Sequence, residues 1–232
     1  MTFRVALLLS GIPRMYKEGF EYHKKNLLSH YKVDVFAHSW KTHENDAMFA
    51  CELYNSYGPC ITPPLNPDGL TEYPDIDPKW PAKNVISMFY SVFKANEQKR
   101  EHELREGFRY DAVVKSRFDF AMNIVPEFHK MDKGKVYVPN DYIKGHIKPN
   151  HIICNDQWAY SDSKTMDSYC NTFWNIDRAR FHNCPMGAEE LLSVNLQING
   201  LVGENMIYID MNHPFPPGKY NNTPHSLLRE DL

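Results

Sequence analysis

Residues Phe3 to Leu9 read Phe-Arg-Val-Ala-Leu-Leu-Leu and run directly into Ser10-Gly11. An apolar run this short cannot cross a bilayer, which takes about 20 apolar residues. It also lacks the polar alternation of a half-exposed strand, so it suits a strand buried on both faces of a parallel sheet. Parallel strands need crossovers, and the next segments supply one. Phe20, Leu27, Leu28 and Tyr31 recur at helical spacing over residues 16–31, and Val33-Asp-Val-Phe-Ala-His38 reads as a second strand. The opening is β-α-β.

Residues 41–82 break this rhythm. Seven of the sixteen prolines fall between Pro59 and Pro81 among Asn, Asp and Gly, which predicts one long loop. Its aromatics, Tyr54, Tyr57, Tyr73 and Trp80, favour an ordered lid or acceptor loop. From Asn84, the residues Ile86, Phe89, Tyr90 and Phe93 mark a helical stripe; Lys99 to Glu106 read as its solvated end, and Gly107 as its stop. Tyr110 to Phe120 is a further strand, and Lys135–Pro139 and Gln157–Tyr160 are two more. A helix through Met166, Tyr169, Cys170, Phe173 and Trp174 follows. A last helix over 188–199 and a strand over 206–210 complete one domain with a mixed, mostly parallel sheet flanked by helices.

Composition limits the function classes. With 232 residues and 42% hydrophobic content the chain can bury one sizeable core. A net charge of -3 gives no broad positive field, so nucleic acid is not an expected partner. The five cysteines, Cys51, Cys60, Cys154, Cys170 and Cys184, are odd in number and form no CxxC pair. With no signal-peptide pattern and no transmembrane segment, they lead to the expectation of a cytoplasmic protein.

Ligands of open α/β sheets bind beyond the carboxyl ends of the strands. The residues falling there are Ser10, Gly11 and Arg14 after the first strand, His38, Ser39 and Trp40 at the second, Arg117 and Asp119 at the fourth, and His213 after the last. A close-approaching backbone and a guanidinium, as Gly11 and Arg14 offer, suit a diphosphate, although Ser-Gly-Ile-Pro-Arg is also an ordinary β-to-α turn. Trp40 suits either a base platform or core packing. Asp119 is placed to hold a hard cation against phosphates, or to form an ion pair with Arg117. His213 begins a stiff Pro-Phe-Pro-Pro-Gly-Lys219 loop that can carry a metal ligand and a phosphate-binding lysine. Asp156, Gln157 and Glu189 are candidates for the reacting sugar or an acceptor proton; Glu189 and Glu190 are equally favoured simply as first-turn acidic residues.

The segment Tyr110-Asp-Ala-Val-Val-Lys-Ser-Arg-Phe-Asp119 resembles GT-A glycosyltransferases, with Arg117-Phe118-Asp119 where their DxD motif stands. Further matches follow in order: Val5 to Arg14, Asp34 to Trp40, Asn84 to Tyr90, and Asn155 to Tyr160. Together they are similar to the small glycosyltransferases of large algal DNA viruses and bacterial surface-polysaccharide loci. The resemblance implies a GT-A (Rossmann-like) α/β domain that transfers a sugar from a nucleotide-diphosphate sugar, UDP favoured, to a glycan acceptor. It implies Mn²⁺ or Mg²⁺ held by Asp119 and His213. Ser10, Gly11, Arg14, His38, Trp40, Asn84, Arg117 and Lys219 would bind the donor, with Asp156, Gln157 and Glu189 at the chemistry. The missing first carboxylate leaves a rival, a catalytically silent carbohydrate- or nucleotide-binding module.

Overall fold

A computed structural model describes residues 3–66, 81–140 and 154–209. Strand β1 (Val5–Ser10) is buried along its whole length, as its unbroken apolar run requires. It lies between two parallel neighbours, β2 (Val33–Trp40) and β4 (Ala112–Arg117). Beyond β2 lies the parallel edge strand β3 (Pro59–Thr62). On the other side, β6 (Ala159–Ser161) runs antiparallel to both β4 and β5 (Val136–Pro139), and β7 (Met206–Ile209) pairs parallel with β5. The sheet order is β3-β2-β1-β4-β6-β5-β7, mixed but mostly parallel.

Successive strand residues point to opposite faces, and two helical layers take up the two sets. Leu8, Phe36 and Val113 face a core shared with α3 (Ala82–Glu106), α4 (Ser163–Cys170), α5 (Ile176–Phe181) and α6 (Ala188–Ile198). Leu7, Leu9, Val35 and Val114 face the other, built with α1 (Tyr16–His23) and α2 (Glu44–Leu53). Helix α1 continues as a π-helical turn through Leu28. Helix α3 ends as its sequence indicates, with Gly107 in the left-handed region at φ 69°. The side chain of Asp162 caps α4 by accepting from the backbone N–H groups of Lys164 and Thr165.

Three expectations need correction. Residues 41–82 are not one loop: α2 and β3 are built from the first part, while 67–80, with Tyr73 and Trp80, lie outside the described residues. Helix α2 buries only Ala47, Ala50 and Cys51, at helical spacing but too small to announce an apolar stripe. The helix expected through Trp174 stops at Cys170 and resumes, after a 3-10 turn, as α5.

The charged end of α3 is only in part a solvated face: Arg100, Glu101, Arg105 and Glu106 are exposed, but Lys99 and Glu103 are buried. Lys99 is 0% exposed; its ammonium donates to Ser163 Oγ at 2.7 Å and Asp167 Oδ1 at 2.8 Å and lies 3.2 Å from Glu103. Glu103 in turn accepts from the N–H of Tyr110 and from Ser163 Oγ. Packing of α4 against α3 encloses these charges, and each is tolerated only because the others are present. Replacing Lys99 by Met is expected to lower unfolding free energy in urea by about 3 kcal/mol, because buried Glu103 then keeps only the exposed Arg109, 3.6 Å away, as a counter-charge.

Candidate functional site

The parallel register brings Ser10 level with His38 on one side and Arg117 on the other. The strand ends therefore form one polar edge. Gly11 leaves β1 at φ 101°, a conformation that glycine adopts without strain, and its N–H donates to Ser91 Oγ on α3 at 2.8 Å. Arg14, after this turn, is exposed. Asn84 is exposed in the first turn of α3.

His38 does not face a ligand. Its Nδ1 lies 2.8 Å from Ser91 Oγ and its Nε2 3.0 Å from Thr62 Oγ1, so the fully buried ring ties β2 to α3 and β3. Burial, with the nearby Lys94 cation, pushes its pKa down to about 3. Trp40 is also enclosed, stacked on Tyr90 with ring centroids 5.7 Å apart. Both residues hold the edge together from behind.

The end of β4 carries the chemistry-bearing charges. Arg117 donates from Nε to Asp119 Oδ1 at 2.8 Å and from Nη2 to Oδ2 at 2.7 Å, a bidentate fork. The Asp119 side chain is only 4% exposed and that of Arg117 is 31% exposed. Helix α1 braces the turn from beneath: a Cβ on Gly19 would lie 1.8 Å from Phe118 O. Next to it, fully buried His23 bridges Tyr54 Oη and Ser116 Oγ at 2.8 and 2.9 Å.

On the same face of β4 lies Lys115, 1% exposed, whose ammonium donates to the backbone oxygen of Asp156. Burial pulls its pKa down to about 8, with Asp156 opposing. The segment Asn155–Gln157, just before antiparallel β6, is thereby drawn to the end of β4. It is rich in unpaired polarity. Asn155 Nδ2, Gln157 Oε1 and Tyr169 Oη are buried without a protein partner, while Asn155 Oδ1 accepts from the N–H of Gln157. Burial pushes the Cys154 thiol up, and the carboxylates of Asp156 and Glu189 add to this, so the start of α6 faces the same segment. Glu190 instead folds back over Gly187, its carboxylate standing where a Cβ on Gly187 would be.

The edge thus gathers Ser10, Gly11, Arg117, Asp119, Asp156 and Gln157, with Glu189 on the flanking helix. His213, Gly218 and Lys219 lie outside the described residues. Lys115 and Ser91 were not among the sequence candidates. The signal for Lys115 was its place inside an apolar strand, two residues before Arg117 and so on the same face.

Of the two residues implied as ligands of Mn²⁺ or Mg²⁺, His213 lies outside the described residues and Asp119 is already engaged. Both oxygens of Asp119 are engaged by a guanidinium, a second cation stands behind it, and no group of three metal-ligating side chains occurs among the described residues. A hard dication takes several oxygen ligands and is repelled by fixed positive charge.

No family model matches the sequence, and no curated protein matches it. Solved structures do. One is 4-diphosphocytidyl-2C-methyl-D-erythritol synthase from Anaerococcus prevotii DSM 20548, at 10% identity and TM-score 0.50, covering 91% of this chain and 88% of that one. Another is the galactosyltransferase LgtC in complex with donor and acceptor sugar analogues, at 11% identity and TM-score 0.45, covering 89% and 73%. An active-site mutant of LgtC aligns at 11% identity and TM-score 0.44, covering 89% and 72%. At 10% identity the synthase is a likeness of fold. With the observed strand order, the chain has a GT-A-like, Rossmann-like α/β fold.

The two buried histidines make stability depend on pH. Burial pushes the pKa of His23 down to about 4 and that of His38 to about 3, so both stay neutral in the folded protein after the unfolded chain has begun to protonate them near 6.5. Their contribution is full above 6.5 and is lost as pH falls from 6.5 toward 4, at about 1.4 kcal/mol per pH unit for each histidine. Urea titrations across this window should show that slope, and His38→Gln should flatten it; equal slopes in both proteins would show that His38 does not contribute.

Proposed function

We propose that this chain is a glycosyltransferase that moves a sugar from a nucleotide-diphosphate sugar, UDP favoured, to a carbohydrate acceptor. The observation that carries this reading is the set of buried, unpaired polar atoms on Asn155, Gln157 and Tyr169 beside Asp156, at the carboxyl edge of the parallel strands. Leaving one such atom without a partner costs about 1 to 3 kcal/mol, so several together mark a place shaped for a ligand bearing hydroxyl groups. A sugar has those groups, and a strand-end crevice is where open α/β sheets take ligands.

In this reading the Ser10–Gly11 turn lies against the nucleotide and Arg117 against the diphosphate. Arg14 and Asn84, both exposed beyond the strand ends, extend the donor side. Asn155 and Gln157 hold the sugar hydroxyls. The bond from the anomeric carbon to the diphosphate oxygen breaks with its electron pair going to that oxygen, and a bond forms from the anomeric carbon to an acceptor hydroxyl oxygen. The acceptor proton passes to Asp156, or to Glu189 at the start of α6. Asp156 is the better placed, being tied directly to the end of β4 through Lys115.

The test is release of nucleoside diphosphate from a panel of nucleotide sugars in the presence of mixed glycan acceptors. One donor is expected to turn over, and Asp156→Asn is expected to lower kcat about 100-fold or more while donor affinity stays within about threefold. Donor binding with no transfer to any acceptor would instead favour the silent binding module.

A further inference from the structure

The two charges at the end of β4 present themselves unequally. Asp119 is turned inward with both oxygens taken, whereas the Arg117 side chain is about a third exposed and spends only Nε and one Nη2 N–H on the carboxylate. A guanidinium carries five N–H donors in a fixed plane, so the rest of the fork is free of Asp119 and held in one orientation. Lys115, two residues earlier on the same face, places a second positive charge behind it, inside the protein. A carboxylate that is to hold a metal must offer an oxygen to the crevice; here Asp119 serves to aim the arginine.

Resting on the donor-site reading above, we propose that this edge binds the diphosphate of a nucleotide without a divalent cation, Arg117 taking the place of the ion and Lys115 reinforcing it. A planar guanidinium matches two phosphate oxygens at once. As the bond to the anomeric carbon breaks, the charge that develops on the diphosphate oxygen is met by N–H groups already in position. The pairing with Asp119 keeps the fork from turning toward Asp156.

Calorimetry on the full chain decides this, with UDP, GDP, CDP, ADP and inorganic pyrophosphate titrated in excess EDTA and again in Mn²⁺. At least one nucleoside diphosphate is expected to bind in EDTA with an affinity within about threefold of that in Mn²⁺, and Arg117→Gln to weaken it about tenfold or more. Asp119→Asn, which loosens the fork, is expected to weaken binding by about threefold, equally in both conditions. It also decides the matter if Arg117→Gln fails to fold. Binding that needs Mn²⁺, with the Mn²⁺-dependent part lost in Asp119→Asn, would overturn the proposal and leave the donor-site reading standing. Absence of binding by every nucleoside diphosphate in both conditions would overturn the two together.

Discussion

Strand β1 is hydrogen-bonded along both edges and covered on both faces, and its register sets the positions of its neighbours. Because Ser10 aligns with both His38 and Arg117, β1 and β4 finish at one level while β2 runs on to Trp40, and the ends of β1 and β4 share one polar edge. A slip of one residue in β4 would turn Lys115 and Arg117 to the α1 side and bring Val114 and Ser116 to the other. The apolar run that drives β1 into the core is therefore also what assembles the polar edge.

Buried charge is used in two ways in this molecule. At the far end of α3, Lys99 pairs with Glu103 and Asp167, with Arg109 beside both carboxylates, and the cluster joins helix to helix. At the end of β4, Lys115 is satisfied by a single backbone oxygen, and Arg117 is only partly spent on Asp119. Burying an ammonium costs several kcal/mol unless partners repay it. A position between Val113 and the apolar register partners Leu8 and Ala159 would hold a valine without that cost. The ammonium instead fixes Asp156 opposite the arginine fork.

Much of the framework was legible from periodicity, and the exceptions have physical causes. The strands β1, β2 and β4 declare themselves by apolar runs, α3 by a stripe of large residues, and α6 by Leu191, Val194 and Ile198, although the apolar residues it buries most fully are Leu191, Leu192 and Leu196. Helix α2 escaped because it buries only small side chains, and β3 because four residues beginning with proline carry little pattern. The end of α3 carries exposed charges as expected at Arg100, Glu101, Arg105 and Glu106, but Lys99 and Glu103 look solvated only until α4 is packed on them. In the candidate site, the strand-end rule picked out Ser10, Gly11, Arg117 and Asp119, which the register brings to one edge. It could not tell that His38 and Trp40 are consumed by Ser91, Thr62 and Tyr90, since those partners are far away in sequence. The sequence offered the Arg117–Asp119 pair only as an alternative to a cation site, because the choice depends on a turn braced by Gly19.

The most direct measurement is nitrogen-15 NMR of the arginine side chains and backbone amides during titration with UDP and the other nucleoside diphosphates. The account predicts saturable shifts of Arg117 Nε–H together with the amides of Gly11 and Gln157, and little change at the groove between α1 and α2 lined by Tyr16, Phe20 and Phe49. Saturable shifts confined to that groove, or an Arg117 signal unmoved by any nucleotide that binds, would contradict it.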